Sequence, residues 1–118
     1  ALRLIEAMPG HSHEAAVTET NLGILYHRMG ETEKAHRSIA RALQTFEGIE
    51  NKKNVHYAAA LNMLGTLHYE TGQYEQAAAA YKKAAEYTER FFGRNAEYET
   101  ACRNLSRARR KLREGPVI

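Results

Sequence analysis

The sequence predicts an all-α helical solenoid of about six antiparallel helices, two full repeats with flanking half-repeats. Two observations carry this reading. First, residues 20–43, TNLGILYHRMGETEKAHRSIARAL, return 42 positions later as NMLGTLHYETGQYEQAAAAYKKAA. Gly23 and Gly65, Gly30 and Gly72, Ala35 and Ala77, and Ala42 and Ala84 are each 42 apart, and Leu22 returns as Leu64. A period in this range marks units that bury their apolar faces only by stacking on one another. Second, apolar and small residues within a copy recur three and four apart. They run through Val17, Asn21, Leu22, Leu25 and Met29, then through Ala35, Ile39, Ala42, Leu43 and Phe46. That spacing belongs to a pair of amphipathic helices.

The pattern places helices at roughly 1–8, 15–29, 32–48, 55–71, 74–91 and 96–113. Ala1 and Leu2 align with Ala42 and Leu43, so 1–8 reads as the tail of a preceding second helix, with MPGHSH as a loop. The chain therefore reads as part of a longer protein. Gly30 and Gly72 stand where each first helix stops, because glycine accepts the left-handed conformation that ends a helix. Gly23 and Gly65 fall mid-helix, where glycine costs about 1 kcal/mol relative to alanine. Close approach of two helix axes, with each glycine facing Ala35 or Ala77 of the partner helix, would offset that cost. At the other end, YETACRNLSRARRKL aligns with YAAALNMLGTLHYET at a spacing of 41, matching Tyr57 with Tyr98, Ala60 with Ala101 and Leu64 with Leu105. The last helix is either the first half of a third repeat or a cap in its place. One repeat domain results: 1–14 closes a preceding repeat, 15–55 and 56–95 are full repeats, and 96–114 is the final helix.

Composition excludes several classes. At 118 residues, 43% hydrophobic and 26% charged, the chain suits one ordinary soluble domain, and it holds no run long enough to span a bilayer. The single Cys102 forms no internal disulfide, which points to a reducing, cytoplasmic setting. There is no aspartate, glycine-rich phosphate loop, paired carboxylate or nucleophile motif. No enzyme, catalytic residue or cofactor is expected. His11 and His13 lie in a loop and the other four histidines share no column, so no metal site is expected. Cys102 aligns with Leu61 and reads as an inert core thiol.

The order Asn-Leu-Gly, then Tyr26, Gly30, Ala35, Ala42 and Leu43, resembles the tetratricopeptide repeat family, helix-turn-helix units that stack into a right-handed superhelix. The 42-residue period, with Phe91-Phe92-Gly93 before a loop, resembles the kinesin light chain variant. The chain departs from that variant in lacking the inter-repeat proline and aspartate and the paired asparagines. In the family, first helices line a concave groove that receives a peptide or partner helix. The resemblance implies that Val17, Thr20, Asn21, Ile24, His27 and Arg28 face this groove. So do Ala59, Asn62, Met63, Thr66, Tyr69 and Glu70, and then Arg103, Asn104, Arg107, Arg110 and Lys111.

Each group has a chemical use. Asn21, Asn62 and Asn104 offer donor and acceptor to a peptide backbone. Ile24, Met63 and Tyr69 would form apolar pockets, with the Tyr69 hydroxyl showing in the groove. Arg103, Arg107 and Arg110 would select an acidic end. From Arg103 to Glu114 there are six basic side chains and one acid, whereas the rest of the chain holds eleven basic and thirteen acidic groups. This stripe either attracts an acidic partner or is a solvated capping face, favoured by the helix dipole. The family's chaperone-tail clamp needs lysine and asparagine where Thr20 and Ile24 stand, which argues against it.

The expected function is thus non-catalytic protein–protein interaction, with a protein or peptide partner, an acidic one by charge, and no membrane. The alternative is a structural segment of a larger protein that self-associates, as a homo-oligomer, through exposed solenoid ends. Nucleic acid is the least favoured partner, because the basic helix has no interleaved aromatics.

Overall fold

The computed structural model describes residues 11–49 and 54–114 and is an all-α solenoid. Its helices are α1 (His11–Arg28), α2 (Thr32–Glu47), α3 (Val55–Glu70), α4 (Tyr74–Phe92) and α5 (Ala96–Glu114). The expected helix over 1–8 lies outside the described residues. One boundary differs from expectation: α1 begins at His11, so His11 and His13 are helical and not in a loop. The Pro9-Gly10 breaker needs only to precede the helix, and the His13 ring then stands edge-on to Phe46, centroids 6.3 Å apart.

Each hairpin turn is built the same way. Gly30 and Gly72 have φ of 80° and 79°, which a Cβ would strain. Past them, Glu31 N–H donates to Tyr26 C=O at 2.9 Å and Gln73 N–H to His68 C=O at 2.8 Å. These are the bonds by which a left-handed glycine closes a helix and reverses the chain.

The mid-helix glycines mark the closest approach within each hairpin, but against different partners from those expected. A Cβ on Gly23 would lie 2.6 Å from Ile39 Cδ1, and one on Gly65 would lie 2.6 Å from Tyr81 Cε1. Ile39 and Tyr81 are themselves 42 apart, one turn beyond Ala35 and Ala77. Side chains in a helix lean toward its N-terminus, so the residue covering the glycine stands one turn C-terminal to the level of contact.

The main core joins both hairpins through Ala16, Ala35, Ile39, Ala42, Phe46, Tyr57, Leu61 and Leu67, and a second cluster holds Ala77, Tyr81, Leu105 and Ala108. Helix α3 packs on α1, α2 and α4, and its apolar residues accordingly run nearly all round it. Helix α5 lies along α4, and its backbone scarcely approaches α3. The connections account for this difference. Seven residues separate α2 from α3, whereas only Gly93–Asn95 separate α4 from α5, so α5 folds straight back as in a hairpin. At the other end Leu25 and Met29 are 49% and 60% exposed, although Leu67, in the column of Leu25, is fully buried.

Candidate functional site

The space left between α3 and α5 is a cleft of about 280 Å³, lined by Thr66, Tyr69, Glu70, Tyr81, Asn104 and Arg107. Helix α3 supplies the first three at three- and four-residue spacing, so they share one stripe. Helix α4 supplies Tyr81 and α5 the last two. Five of the six are residues expected to face the groove.

Hydrogen bonds fix the floor. Thr66 Oγ1 donates to Asn62 C=O at 3.1 Å, which leaves the Tyr81 hydroxyl, 2.9 Å away, to donate to Thr66. Burial pushes the Tyr81 phenol above its ordinary range, against the opposing effect of the Thr66 bond and of Arg107. It stays a neutral donor at physiological pH.

Cations and rings form the wall. The Arg107 guanidinium lies over the Tyr69 ring, 5.8 Å from its centroid, and Tyr69 stands edge-on to Tyr74 at 5.2 Å. Arg107 is exposed and has no carboxylate partner among the described residues. Glu70 is engaged instead with His27, whose Nε2 sits 2.9 Å and 3.0 Å from its two oxygens. This pair ties α1 to α3 across the repeat boundary; its spacing of 43, one more than the period, is the only trace of it in the sequence.

The remaining expected residues divide. Thr20 is a correction: it is fully buried, and its hydroxyl donates to Ala16 C=O at 2.8 Å, so it faces the core and not a groove. Asn21 and Arg28 are exposed on α1, and Ile24 is half-buried. Val17 and Met63 pack against the core and leave little surface for a ligand. Asn62 turns its Oδ1 into the protein, where it is buried without a hydrogen-bond partner. Asn21 and Asn62 are 41 apart, so they occupy adjacent columns and differ in surroundings. Arg103, Arg110 and Lys111 are exposed beside Arg107 on α5 but do not line the cleft. Arg103 reaches back to Thr100 Oγ1 at 3.4 Å. Cys102 is half-buried at the core's edge, not inside it as its alignment with Leu61 implied. Tyr81 is the cleft residue that sequence reasoning missed; its column, opposite a mid-helix glycine, was the available signal.

Among the described residues no three His, Cys or Glu side chains converge on a metal position, and no helix is long and apolar enough to cross a membrane. Two histidines do meet: the His36 and His68 rings stand edge-on, centroids 5.0 Å apart, between α2 and α3. Burial first, and the neighbouring His68 second, hold the His36 imidazole below its ordinary 6.5, against a backbone hydrogen bond that raises it. The folded state thus takes up a proton at His36 less readily than the unfolded chain. The associated stability is present above pH 6.5 and is lost as pH falls below it toward the folded-state value. Melting temperature is expected to decline on acidification from about pH 7.5 to about 5.5. His36→Gln should flatten that decline, and an unchanged slope in the variant would refute the assignment.

Residues 14–90 match the family model described as tetratricopeptide repeat. The chain is also 41% identical over 69 residues to human protein O-mannosyl-transferase TMTC1, covering 58% of this chain and 7% of that protein. The similarity is therefore to a small part of a much longer polypeptide. Repeats of the matched kind generally mediate protein–protein interaction and are generally non-catalytic. With the 42-residue echo, the paired helical hairpins and the glycine-closed turns, the match establishes that this chain belongs to the tetratricopeptide repeat family.

Proposed function

We propose that the chain is a non-catalytic module that holds a peptide or helix of a partner protein along the side formed by α1, α3 and α5, with an acidic group of the partner at Arg107. The observation that carries this is an arginine held over a tyrosine ring, free of any carboxylate among the described residues, at a cleft that also offers the Asn104 amide. A guanidinium so placed binds a carboxylate through paired N–H donors. Nearby, Asn62 stands on the same stripe of α3 as Thr66, and its buried amide oxygen, which has no partner in the protein, would gain one by turning outward to a peptide N–H.

Helices α3 and α5 supply these groups, and α1 continues the same side with the exposed Asn21 and Arg28. We take 15–55 and 56–95 as the two full repeats. Helix α5 acts as a cap, since it folds back along α4 instead of stacking on α3 as α3 stacks on α1. The 42-residue period and the run Phe91-Phe92-Gly93 at the end of α4 support the kinesin light chain variant.

The double variant Asn62→Ala, Arg107→Glu tests the reading. Wild type, screened against a displayed peptide library, is expected to select sequences carrying Asp or Glu. The variant should bind the selected peptides about 10- to 100-fold more weakly, as loss of a charge-assisted hydrogen bond implies. Its melting temperature should stay within a few degrees of wild type, because Arg107 is exposed and the buried Asn62 amide oxygen has no hydrogen bond to lose. Undiminished binding would sink the proposal.

A further inference from the structure

The two repeats differ at one large column. Phe46 in α2 is buried, with its ring edge-on to Tyr57 at 5.9 Å and to His13 at 6.3 Å. Forty-two positions later the same column holds Thr88, and the column of His13 holds Val55. Where repeat one has a packed ring, repeat two has a recess of about 350 Å³, lined by Val55, Ala59, Thr88 and Phe92 among others. It opens between the first turns of α3 and α5, above the end of α4.

Two further facts mark it as unfilled. Val55 at its rim is 55% exposed and so leaves apolar surface open beside the recess. Thr88 is only 1% exposed, yet its hydroxyl has no hydrogen-bond partner. A threonine in a helix ordinarily donates to the carbonyl one turn back, as Thr20 does here.

We propose that this recess is a docking site for an aromatic side chain of a partner protein, which takes the place in repeat two that Phe46 takes in repeat one. This rests on the reading that the α3–α5 side receives a partner, since Ala59 and Asn62 lie on one stripe of α3 and continue into the cleft at Thr66. The internal template specifies the occupant. The one residue the fold itself puts in this column is a phenylalanine, held by edge contacts that favour rings over aliphatic chains.

The full chain, labelled so that the methyl groups of Val55 and Thr88 are visible by NMR, is titrated with N-acetyltyrosinamide and, as control, N-acetylalaninamide. Saturable shifts of both methyls are expected with the aromatic amide alone, at a dissociation constant on the order of millimolar for so small a ligand. Thr88→Phe fills the recess with the residue of the first repeat. It should keep or raise the melting temperature and weaken the aromatic amide at least tenfold, about 1.4 kcal/mol. Should that variant not fold, Val55→Lys at the exposed rim gives the same readout without touching the core.

Absence of saturable shifts in wild type, or full binding to the filled variant, overturns the proposal. So does a wild-type dimer that dissociates on Thr88→Phe, which would assign the recess to a second copy. Arg107→Glu should leave the aromatic amide unaffected, which separates failure of this site from failure of the acidic site at Arg107.

Discussion

Phe46→Ala is expected to destabilise the protein by about 3–5 kcal/mol, the range for removing a buried aromatic ring. Phe46 is 2% exposed and touches rings on both neighbouring helices, His13 on α1 and Tyr57 on α3. Tyr57 in turn stands edge-on to Tyr87 at 4.8 Å, and the Tyr87 hydroxyl accepts from the Asn54 backbone N–H at 2.8 Å, just ahead of α3. The loss therefore falls on the boundary between repeats. In a solenoid, stability is a sum of unit and nearest-neighbour terms, so removing the ring should uncouple the hairpins as well as lower the midpoint. Urea titration followed by circular dichroism should show a lower midpoint and a broader transition, and the melting temperature should drop by roughly 10–20 °C. A loss below about 1 kcal/mol would mean that the column is not the tight joint described.

Gly65→Ala should destabilise by about 1–3 kcal/mol although alanine is the better helix former. Propensity alone predicts a gain of about 1 kcal/mol. Against it, the added Cβ would sit 2.6 to 2.9 Å from three carbons of the Tyr81 ring, and the ring is held by Thr66. Overpacking a fixed aromatic costs more than propensity returns. Gly23→Ala meets Cγ1 and Cδ1 of Ile39 at 2.6 Å, an aliphatic chain that can change rotamer instead of a rigid ring, and should cost less. Denaturation of the pair, with Gly65→Ala, Tyr81→Leu as the third variant, makes a coupling cycle. The double variant should recover most of the loss, and a stabilising Gly65→Ala would overturn the close-approach account.

Much of this architecture can be read from spacing. The period, the left-handed glycines at 30 and 72 and all five described helices follow from it, save for the first turn of α1, because backbone geometry ties small residues to particular columns. What spacing does not carry is direction. Gly23 and Gly65 announce a close approach, but which residue fills it depends on how side chains lean, and that moved the partner from Ala35 to Ile39 and from Ala77 to Tyr81. Thr20 and Asn62 share a column, yet one is sealed against its own helix and the other lies beside the cleft. End effects decide such differences, since α1 and α3 have different neighbours. The cleft was legible as a stripe on α3; its width was not, because it depends on how α5 turns back after a three-residue connection.

Tyr81 closes the hairpin over Gly65 and at the same time floors the cleft. These two duties make the site unevenly evolvable. Tyr69, Asn104 and Arg107 can drift and retune what is recognised while the fold stands. Any change at Tyr81 must be matched at Gly65, so a lineage altering its ligand would be expected to rewrite the walls and inherit the floor.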